Sequence, residues 1–105
     1  MKILDLFCGA GGAAMGLHRA WPDAEIIGVD IKPQPRYPFK FIRADSMTFP
    51  IEGYDFIWAS PPCQDYSVLK GLAANKQPRL IDAVRTRLKA TQSRWVIENV
   101  AGAPL

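Results

Sequence analysis

The chain has 105 residues, of which 49% are hydrophobic and 22% charged, and it carries a net charge of +3 with a pI near 9.1. This length accommodates one small domain, residues 1–105, with the composition of an ordinary globular protein. The sequence contains no run of eighteen apolar residues, which excludes a transmembrane helix. The apolar run at the N-terminus is too short for a secretory signal. We therefore expect a cytoplasmic protein. The small positive charge permits a nucleic-acid partner without requiring one.

Strand and helix patterns alternate along the chain. We predict five strands, at residues 3–7, 25–30, 40–45, 54–60 and 94–100. We predict two helices, at residues 13–21 and 78–91, and a rigid, extended connection at the proline-rich residues 32–38. This order is typical of an α/β fold with a doubly wound, mostly parallel sheet and helices on both faces, as in Rossmann-like proteins.

In such a sheet, ligands bind outside the carboxyl ends of the strands. The five predicted strands are followed there by the turn CGAGG at residues 8–12, then by Asp30, Asp45, Cys63 and Glu98. We therefore predict one site at this edge. Asp30 is predicted to accept hydrogen bonds from ribose hydroxyls and Asp45 from an adenine amino group. For each of them a capping or loop aspartate is the equally favoured alternative.

The glycines of the turn let the backbone bend tightly and approach a ligand before the first helix begins. Read as Gly9-x-Gly11-x-x-Ala14, the turn fits a dinucleotide fingerprint, and Asp30 has the spacing expected of a ribose ligand. The motif does not separate NAD from S-adenosylmethionine, because both carry adenosine. A turn that needs glycine only for packing is the structural alternative.

Cys63 stands in the stretch ASPPCQDYS, where two prolines end the strand and stiffen the loop. A zinc site would need more ligands than Cys8, Cys63 and the single histidine, His18, provide. His18 is also an unconvincing base for a protease, so we predict a surface or packing role for it. Glu98 ends an apolar strand, where we expect burial to keep its carboxyl protonated; a structural carboxylate is the alternative.

Four stretches in order, DLFCGAGG, GVD, SPPCQ and ENV, resemble the cytosine-C5 DNA methyltransferases, and the resemblance runs from Leu4 to Val100. GAAMGLHRAW and IKPQPRYPF are most similar to compact phage-type members, which suggests a phage or restriction-modification setting. The resemblance implies S-adenosyl-L-methionine as cofactor. It implies double-stranded DNA as partner, with the target cytosine flipped out of the duplex; tRNA, which some relatives methylate, is the alternative substrate.

The resemblance also implies roles for individual residues. Cys63 would add to cytosine C6, and Glu98 would engage N3 and supply a proton. The residues implied to line the cofactor pocket are Phe7, Gly9, Gly11, Gly12, Asp30, Ile31, Asp45 and Ser46. Those implied to shape the substrate loop or support Glu98 are Pro62, Gln64, Ser67, Asn99 and Val100.

The sequence departs from the family pattern at several places. It lacks the later arginine-bearing motif, the target-recognition region and the C-terminal segment of the cofactor pocket. Asp30 stands where glutamate is usual, and Asp65 follows PPCQ where a small or apolar residue is common. We expect the catalytic N-terminal portion of a longer enzyme, or one subunit of a split one, and poor stability or oligomerisation of residues 1–105 alone. The target sequence is not encoded here.

Three other functions compete with this reading. The first is methylation of an exocyclic amine, but such enzymes have an aromatic residue where Cys63 stands. The second is a non-catalytic module that binds S-adenosylmethionine or NAD without turnover. The third is an oxidoreductase, which would leave SPPCQ and ENV unexplained.

Basic residues around the last helix are predicted to form a solvated face rather than a phosphate site: Arg79, Arg85, Arg87, Lys89 and Arg94. The tryptophans predicted as core residues are Trp21, Trp58 and Trp95.

Overall fold

The computed structural model describes residues 1–62 and 80–98. Within these residues a five-stranded sheet is flanked by two helices. The strands are β1 (Lys2–Leu6), β2 (Glu25–Asp30), β3 (Lys40–Arg43), β4 (Phe56–Ala59) and β5 (Arg94–Ile97). The helices are α1 (Gly12–Ala20) and α2 (Leu80–Lys89).

The sheet has the strand order β3-β2-β1-β4-β5, and every neighbouring pair is parallel. The chain therefore builds outward from β1 in one direction through β3 and then in the other direction through β5. Such a reversal opens a crevice at the carboxyl ends of the two central strands. The predicted doubly wound, parallel α/β fold is confirmed.

The two helices cover opposite faces of the sheet. Successive side chains of β1 point alternately to these two faces, so β1 contributes to the core under each helix. Ile3 belongs to the core under α1, together with Ala14 and Leu17. Leu4 belongs to the core under α2, together with Val84. Both β1 side chains are completely buried, so the central strand anchors the two cores at once.

Strand β4 begins two residues later than predicted. Gly53 adopts a left-handed conformation (φ 90°), and the Asp55 N–H then donates to the Lys2 carbonyl over 2.9 Å before the ladder to β1 starts. The observed β3 ends at Arg43 and β5 at Ile97, so the predicted ends at 45 and 100 were too long where the structure describes them. Residues 99 and 100 lie outside the described part.

The prediction that the proline-rich connection is extended was wrong for part of its length. It turns at residues 34–37, where the Tyr37 N–H donates to the Gln34 carbonyl over 3.1 Å. Pro35 occupies the second position of this turn, where its fixed φ favours a bend. The turn sends Tyr37 back under the sheet, where it is buried.

The prediction that the tryptophans are core residues was wrong for Trp21. This residue caps the C-terminal end of α1 and is 41% exposed, with its ring against that of Phe56 at 5.7 Å. Trp58 and Trp95 are half-buried. Neither helix in the described ranges is long and apolar enough to cross a membrane.

Candidate functional site at the carboxyl ends of the strands

The turn after β1 is built from residues with left-handed backbone conformations. Phe7, Gly9 and Gly11 have φ values of 55°, 56° and 105°. Gly11 precedes the first residue of α1 and is closely covered, because a Cβ there would lie 2.6 Å from Cδ of Pro38. Glycine is therefore needed at this position for both its conformation and its lack of a side chain.

Open space remains above two other glycines. A Cβ at Gly9 or at Gly12 would meet no atom within 4 Å. Gly12 starts α1, where unpaired backbone N–H groups and the helix dipole favour a polar or anionic ligand. The turn therefore leaves room for a ligand close to its backbone.

Asp30 joins this turn to the end of β2. Its Oδ2 accepts a hydrogen bond from the Gly9 N–H, and its Oδ1 accepts one from the Lys32 N–H, both over 3.0 Å. Each carboxylate oxygen has a second acceptor position. Asp30 is half-buried, so it can hold the turn and still accept a hydrogen bond from a bound hydroxyl group.

Ser46 holds Phe7 in its left-handed conformation. The Phe7 N–H donates to Ser46 Oγ over 3.0 Å, and Ser46 Oγ donates to the Val29 carbonyl over 3.2 Å. Ser46 is 3% exposed. Its neighbour Asp45 is exposed and caps the turn that follows β3, since Asp45 Oδ1 accepts from the Met47 N–H over 2.9 Å.

Arg87 of α2 fixes the same loop from the other side. Its guanidinium Nη1 donates to the Ser46 carbonyl over 2.8 Å, and Nη2 donates to the Phe49 carbonyl. The prediction of a solvated face was therefore wrong for Arg87. Arg85 instead pairs with Asp82 one turn earlier, at 3.2 Å, and Arg79 lies outside the described residues.

A cavity of about 490 Å³ opens along this edge of the sheet. It runs from the ends of β2 and β3 to the end of β4 and brings together residues that are far apart in sequence. Ile31 stands at its border with 61% of its surface exposed, so its apolar side chain is accessible from the cavity. The predicted site residues that line the cavity are Phe7, Asp30, Ile31, Asp45, Ser46 and Pro62.

Glu98 lies at the end of β5, next to this cavity. Its N–H donates to the Ala59 carbonyl over 2.8 Å, which continues the β4–β5 ladder. Its Oε1 accepts a hydrogen bond from Ser60 Oγ over 3.0 Å, and Ser60 also lines the cavity. The expected burial of Glu98 was wrong: the residue is exposed, because it follows the last ladder position of an edge strand.

A buried carboxyl group lies beneath the turn. Asp5 is completely buried, its Oδ2 accepts a hydrogen bond from the Tyr37 hydroxyl over 3.0 Å, and its Oδ1 has no partner among the described residues. Burial raises the pKa of Asp5 to about 7, against the lowering effect of the Tyr37 hydrogen bond, and the charges of Glu98 and Asp30 raise it further.

The thiol of Cys8 is buried and unreactive at neutral pH. It is 7% exposed and donates to the Gly9 carbonyl at 3.5 Å. Burial raises the pKa of Cys8 to about 12, with further contributions from the negative charges of Asp5 and Asp30. Cys8 is therefore protonated at neutral pH and unsuited to nucleophilic attack.

Five predicted residues of the loop and of the support for Glu98 lie outside the described residues: Cys63, Gln64, Ser67, Asn99 and Val100. His18 packs its ring on Phe39 at 5.2 Å, as predicted for a packing residue. Another depression, of about 680 Å³, lies among residues 52–55 and 90–94, before β4 and β5. It is at the amino ends of the strands, and the predicted site residues that the structure describes do not line it.

The sequence-based reasoning missed the parts played by Tyr37, Arg87, Ser60 and Trp58. The inward position of Arg87 could have been predicted from the sequence, because Arg87 lies three residues after Val84 on the apolar side of α2. The partnership of Ser60 with Glu98 required knowledge that β4 and β5 are neighbours and of their register.

Comparisons with known proteins identify the family. The family of C-5 cytosine-specific DNA methylases matches residues 1–103. Curated protein sequences gave no match.

Comparisons with solved structures identify the fold. The plantazolicin methyltransferase BpumL, solved with SAH and a pentazolic desmethylPZN analog, is similar at a TM-score of 0.60 and 20% identity, over 95% of this chain and 39% of that one. SP1627 from Streptococcus pneumoniae TIGR4, a putative NADH-flavin reductase, is similar at a TM-score of 0.61 and 16% identity, over 92% of this chain and 46% of that one. The chain thus spans less than half the length of these two proteins, and the likeness at such identities concerns the fold alone.

Proposed function

The chain belongs to the C-5 cytosine-specific DNA methylase family, and we propose that it supplies the cofactor half and the reacting groups of an enzyme that methylates C5 of cytosine in double-stranded DNA. One observation carries this proposal. A single cavity collects five of the residues predicted for the cofactor and one predicted for the substrate loop, and Ser60 connects that cavity to Glu98.

The methyl donor of this family is S-adenosyl-L-methionine, and the cavity suits it. A volume of about 490 Å³ is in the usual range for a small-molecule site. In this proposal Asp30 accepts hydrogen bonds from ribose hydroxyls, Ile31 covers the adenine ring, and Asp45 accepts one from the adenine amino group. All three residues line the cavity, and Asp30 keeps acceptor positions beyond the two it uses within the chain. When bound, the cofactor supplies an electrophilic methyl group.

The reacting groups are Cys63 and Glu98. The Cys63 thiolate forms a bond to C6 of a flipped cytosine while Glu98 donates a proton to N3, which places an electron pair on C5 and makes that carbon the methyl acceptor. Once C5 carries the methyl group, transfer of the C5 proton to a base and return of the N3 proton to Glu98 break the C6–S bond and restore the thiolate. The high pKa of Cys8 leaves Cys63 as the thiol suited to this step.

The test is a covalent trap with duplex DNA that contains 5-fluorocytosine. S-adenosylmethionine is included, because fluorine replaces the proton that must leave C5, so the bond to Cys63 persists once C5 has been methylated. We expect an adduct with the wild-type protein and with Cys8→Ala, and none with Cys63→Ser. On ordinary DNA, Glu98→Gln is expected to slow methylation by about 10²- to 10⁴-fold, the usual contribution of a general acid.

Two results would contradict the proposal. One is an adduct that survives Cys63→Ser in a folded variant. The other is a methyl group found on the exocyclic amine of cytosine when the product nucleosides are separated, which would place the chain with the amine-methylating enzymes.

A second function is supported by the same cavity, because cofactor binding there does not by itself require catalysis. In this case the chain is a cofactor-binding part of a split enzyme, or a binding module without turnover. Calorimetric binding of S-adenosylmethionine together with failure to form the fluorocytosine adduct would select it. Adduct formation on addition of a second chain would then separate the split enzyme from the inactive module.

A further inference from the structure

A short series of hydrogen bonds ends at Glu98. The indole Nε1 of Trp58 donates to Ser60 Oγ over 2.9 Å, and Ser60 Oγ donates to Glu98 Oε1 over 3.0 Å. Trp58 and Ser60 are alternate residues at the end of β4, so they share a face of the sheet, and the parallel pairing of Ala59 with Ile97 brings Glu98 beside Ser60. Both links depend on the β4–β5 register.

The direction of these bonds follows from the chemistry of the groups. An indole N–H can only donate, so Ser60 must use a lone pair to accept from Trp58. The single hydroxyl proton of Ser60 is then directed at Glu98 Oε1. Because Oε1 already accepts from Ser60, Oε2 is the oxygen left free to carry the proton that Glu98 transfers.

We propose that Ser60 and Trp58 are positioning residues for Glu98: they orient its carboxyl group and assign its transferable proton to Oε2. The proposal rests on the proposed function, in which Glu98 protonates cytosine N3. Glu98 is exposed and has several rotatable bonds, so its carboxyl orientation is not fixed by packing. Ser60 supplies that restraint from a residue that also lines the cofactor cavity.

A purely structural role for Ser60 is the competing explanation, and kinetics distinguish the two. We expect Ser60→Ala to lower kcat by about 10- to 100-fold, less than the loss of the acid itself, with little change in KM for DNA or cofactor. Ser60→Thr retains the hydroxyl and is expected to restore most of kcat. Trp58→Phe keeps a ring but removes the N–H, and we expect a smaller loss.

Trp95→Phe is the matched control. Trp95 belongs to β5 but contributes to the core under α2, on the opposite face from Trp58, so its replacement should leave kcat unchanged. In the background of Glu98→Gln, Ser60→Ala should have no further effect, because a positioning residue acts only through the group it positions.

The outcomes separate the two proposals. If Glu98→Gln is fully active, the proposed function of Glu98 fails. Two results with an impaired Glu98→Gln variant would overturn only the positioning proposal. One is a folded Ser60→Ala variant with the wild-type kcat. The other is a double variant in which the losses of kcat from Ser60→Ala and Glu98→Gln multiply.

A second measurement does not require turnover. In ¹⁵N–¹H spectra of the whole chain, the Trp58 indole N–H signal should shift in Ser60→Ala and return toward its original position in Ser60→Thr, while the Trp95 signal stays in place. An unchanged Trp58 signal in folded Ser60→Ala would overturn the proposal regardless of activity.

Discussion

Single side chains in this protein combine structural and functional tasks. Asp30 illustrates this, because its short side chain accepts the N–H of Lys32, two residues later, and also that of Gly9 in the neighbouring turn. Asx-type bonding to a residue two positions on suits aspartate better than the longer glutamate. The local geometry therefore explains why aspartate stands at this position, where the family resemblance suggests glutamate.

Asp5 leads to a prediction about pH. Its pKa is about 7 in the folded chain against 3.8 for the ordinary group, so folding favours the protonated form. Protonation of Asp5 therefore adds to the free energy of unfolding, and this contribution is fully present below pH 3.8. It is lost as the pH rises toward 7 and is absent above that pH. The total loss is on the order of 4 kcal/mol. Asp5→Asn keeps an uncharged acceptor for Tyr37 and should be more stable than wild type at pH 8.5.

The measurement for Asp5→Asn is urea denaturation at pH 5 and pH 8.5. The advantage of the variant should shrink at the lower pH, where the wild-type carboxyl is largely protonated. Asp23→Asn, at an exposed turn, serves as the control and should show no such trend. An Asp5→Asn effect independent of pH would contradict the pKa assignment.

At the scale of elements, polar contacts between segments hold the loops that border the cavity. Arg87 of α2 donates to two carbonyls of the loop after β3, and Ser46 of that loop supports Phe7 after β1. The loop after β2 returns through Tyr37, whose ring lies over Gly28 so closely that a Cβ there would be 2.3 Å from it.

Arg87→Lys is expected to destabilise the chain by about 1–3 kcal/mol, since one ammonium group cannot reproduce the two parallel N–H donors. The affinity for S-adenosylmethionine should fall as well, because the loop carrying Asp45 loses its support. Chemical denaturation and calorimetric titration measure the two effects. Arg85→Lys, in the ion pair with Asp82, is the control, and an equal effect there would rule out a specific role for Arg87.

Two glycine-to-alanine changes should act in opposite directions. Gly28→Ala places a methyl group inside the Tyr37 ring and should cost about 1–3 kcal/mol or more, the usual penalty of overpacking. Gly16→Ala lies within α1 with no atom near its Cβ and should stabilise by about 0.5–1 kcal/mol. Thermal unfolding of both variants tests the pair, and tolerance of Gly28→Ala would contradict the close packing of Tyr37.

At the scale of the whole molecule, the parallel sheet places the ends of β2, β3 and β4 around one cavity, and β5 is an edge strand of the sheet formed by residues 1–62 and 80–98. Val96 of β5 is 38% exposed, so the face on the α1 side is only partly covered near this edge. The poor stability or self-association expected of residues 1–105 alone stays a prediction, which ultracentrifugation and a melting curve can check.

Cofactor binding should stabilise the entire fold. A ligand at one hundred times its Kd adds about 2.7 kcal/mol to the free energy of unfolding, which for a domain of this size corresponds to a rise in Tm of about 10–20 °C. We expect this with S-adenosylmethionine and not with NAD, measured by thermal unfolding. Asp30→Asn should reduce the shift. A larger shift with NAD would contradict the methyltransferase reading.

The sequence by itself determined the alternation of strands and helices, the parallel sheet and the glycine turn, because these depend on local periodicity and on residues with special backbone freedom. It also indicated the family, through motifs that are contiguous in the chain. The start of β4 and the path of residues 32–38 were less accurately predicted, since the pairing of Asp55 with Lys2 and a turn at Pro35 depend on neighbours.

Tertiary structure alone decided which side chains meet across strands. Ser60 and Glu98 are 38 residues apart, and their contact requires β4 and β5 to be adjacent in one particular register. The same holds for the burial of Asp5 under Tyr37 and for the exposure of Glu98, which propensity and pattern did not indicate. The physical reason is that burial, and with it acidity, is set by the packing of distant segments and not by the residues next in sequence.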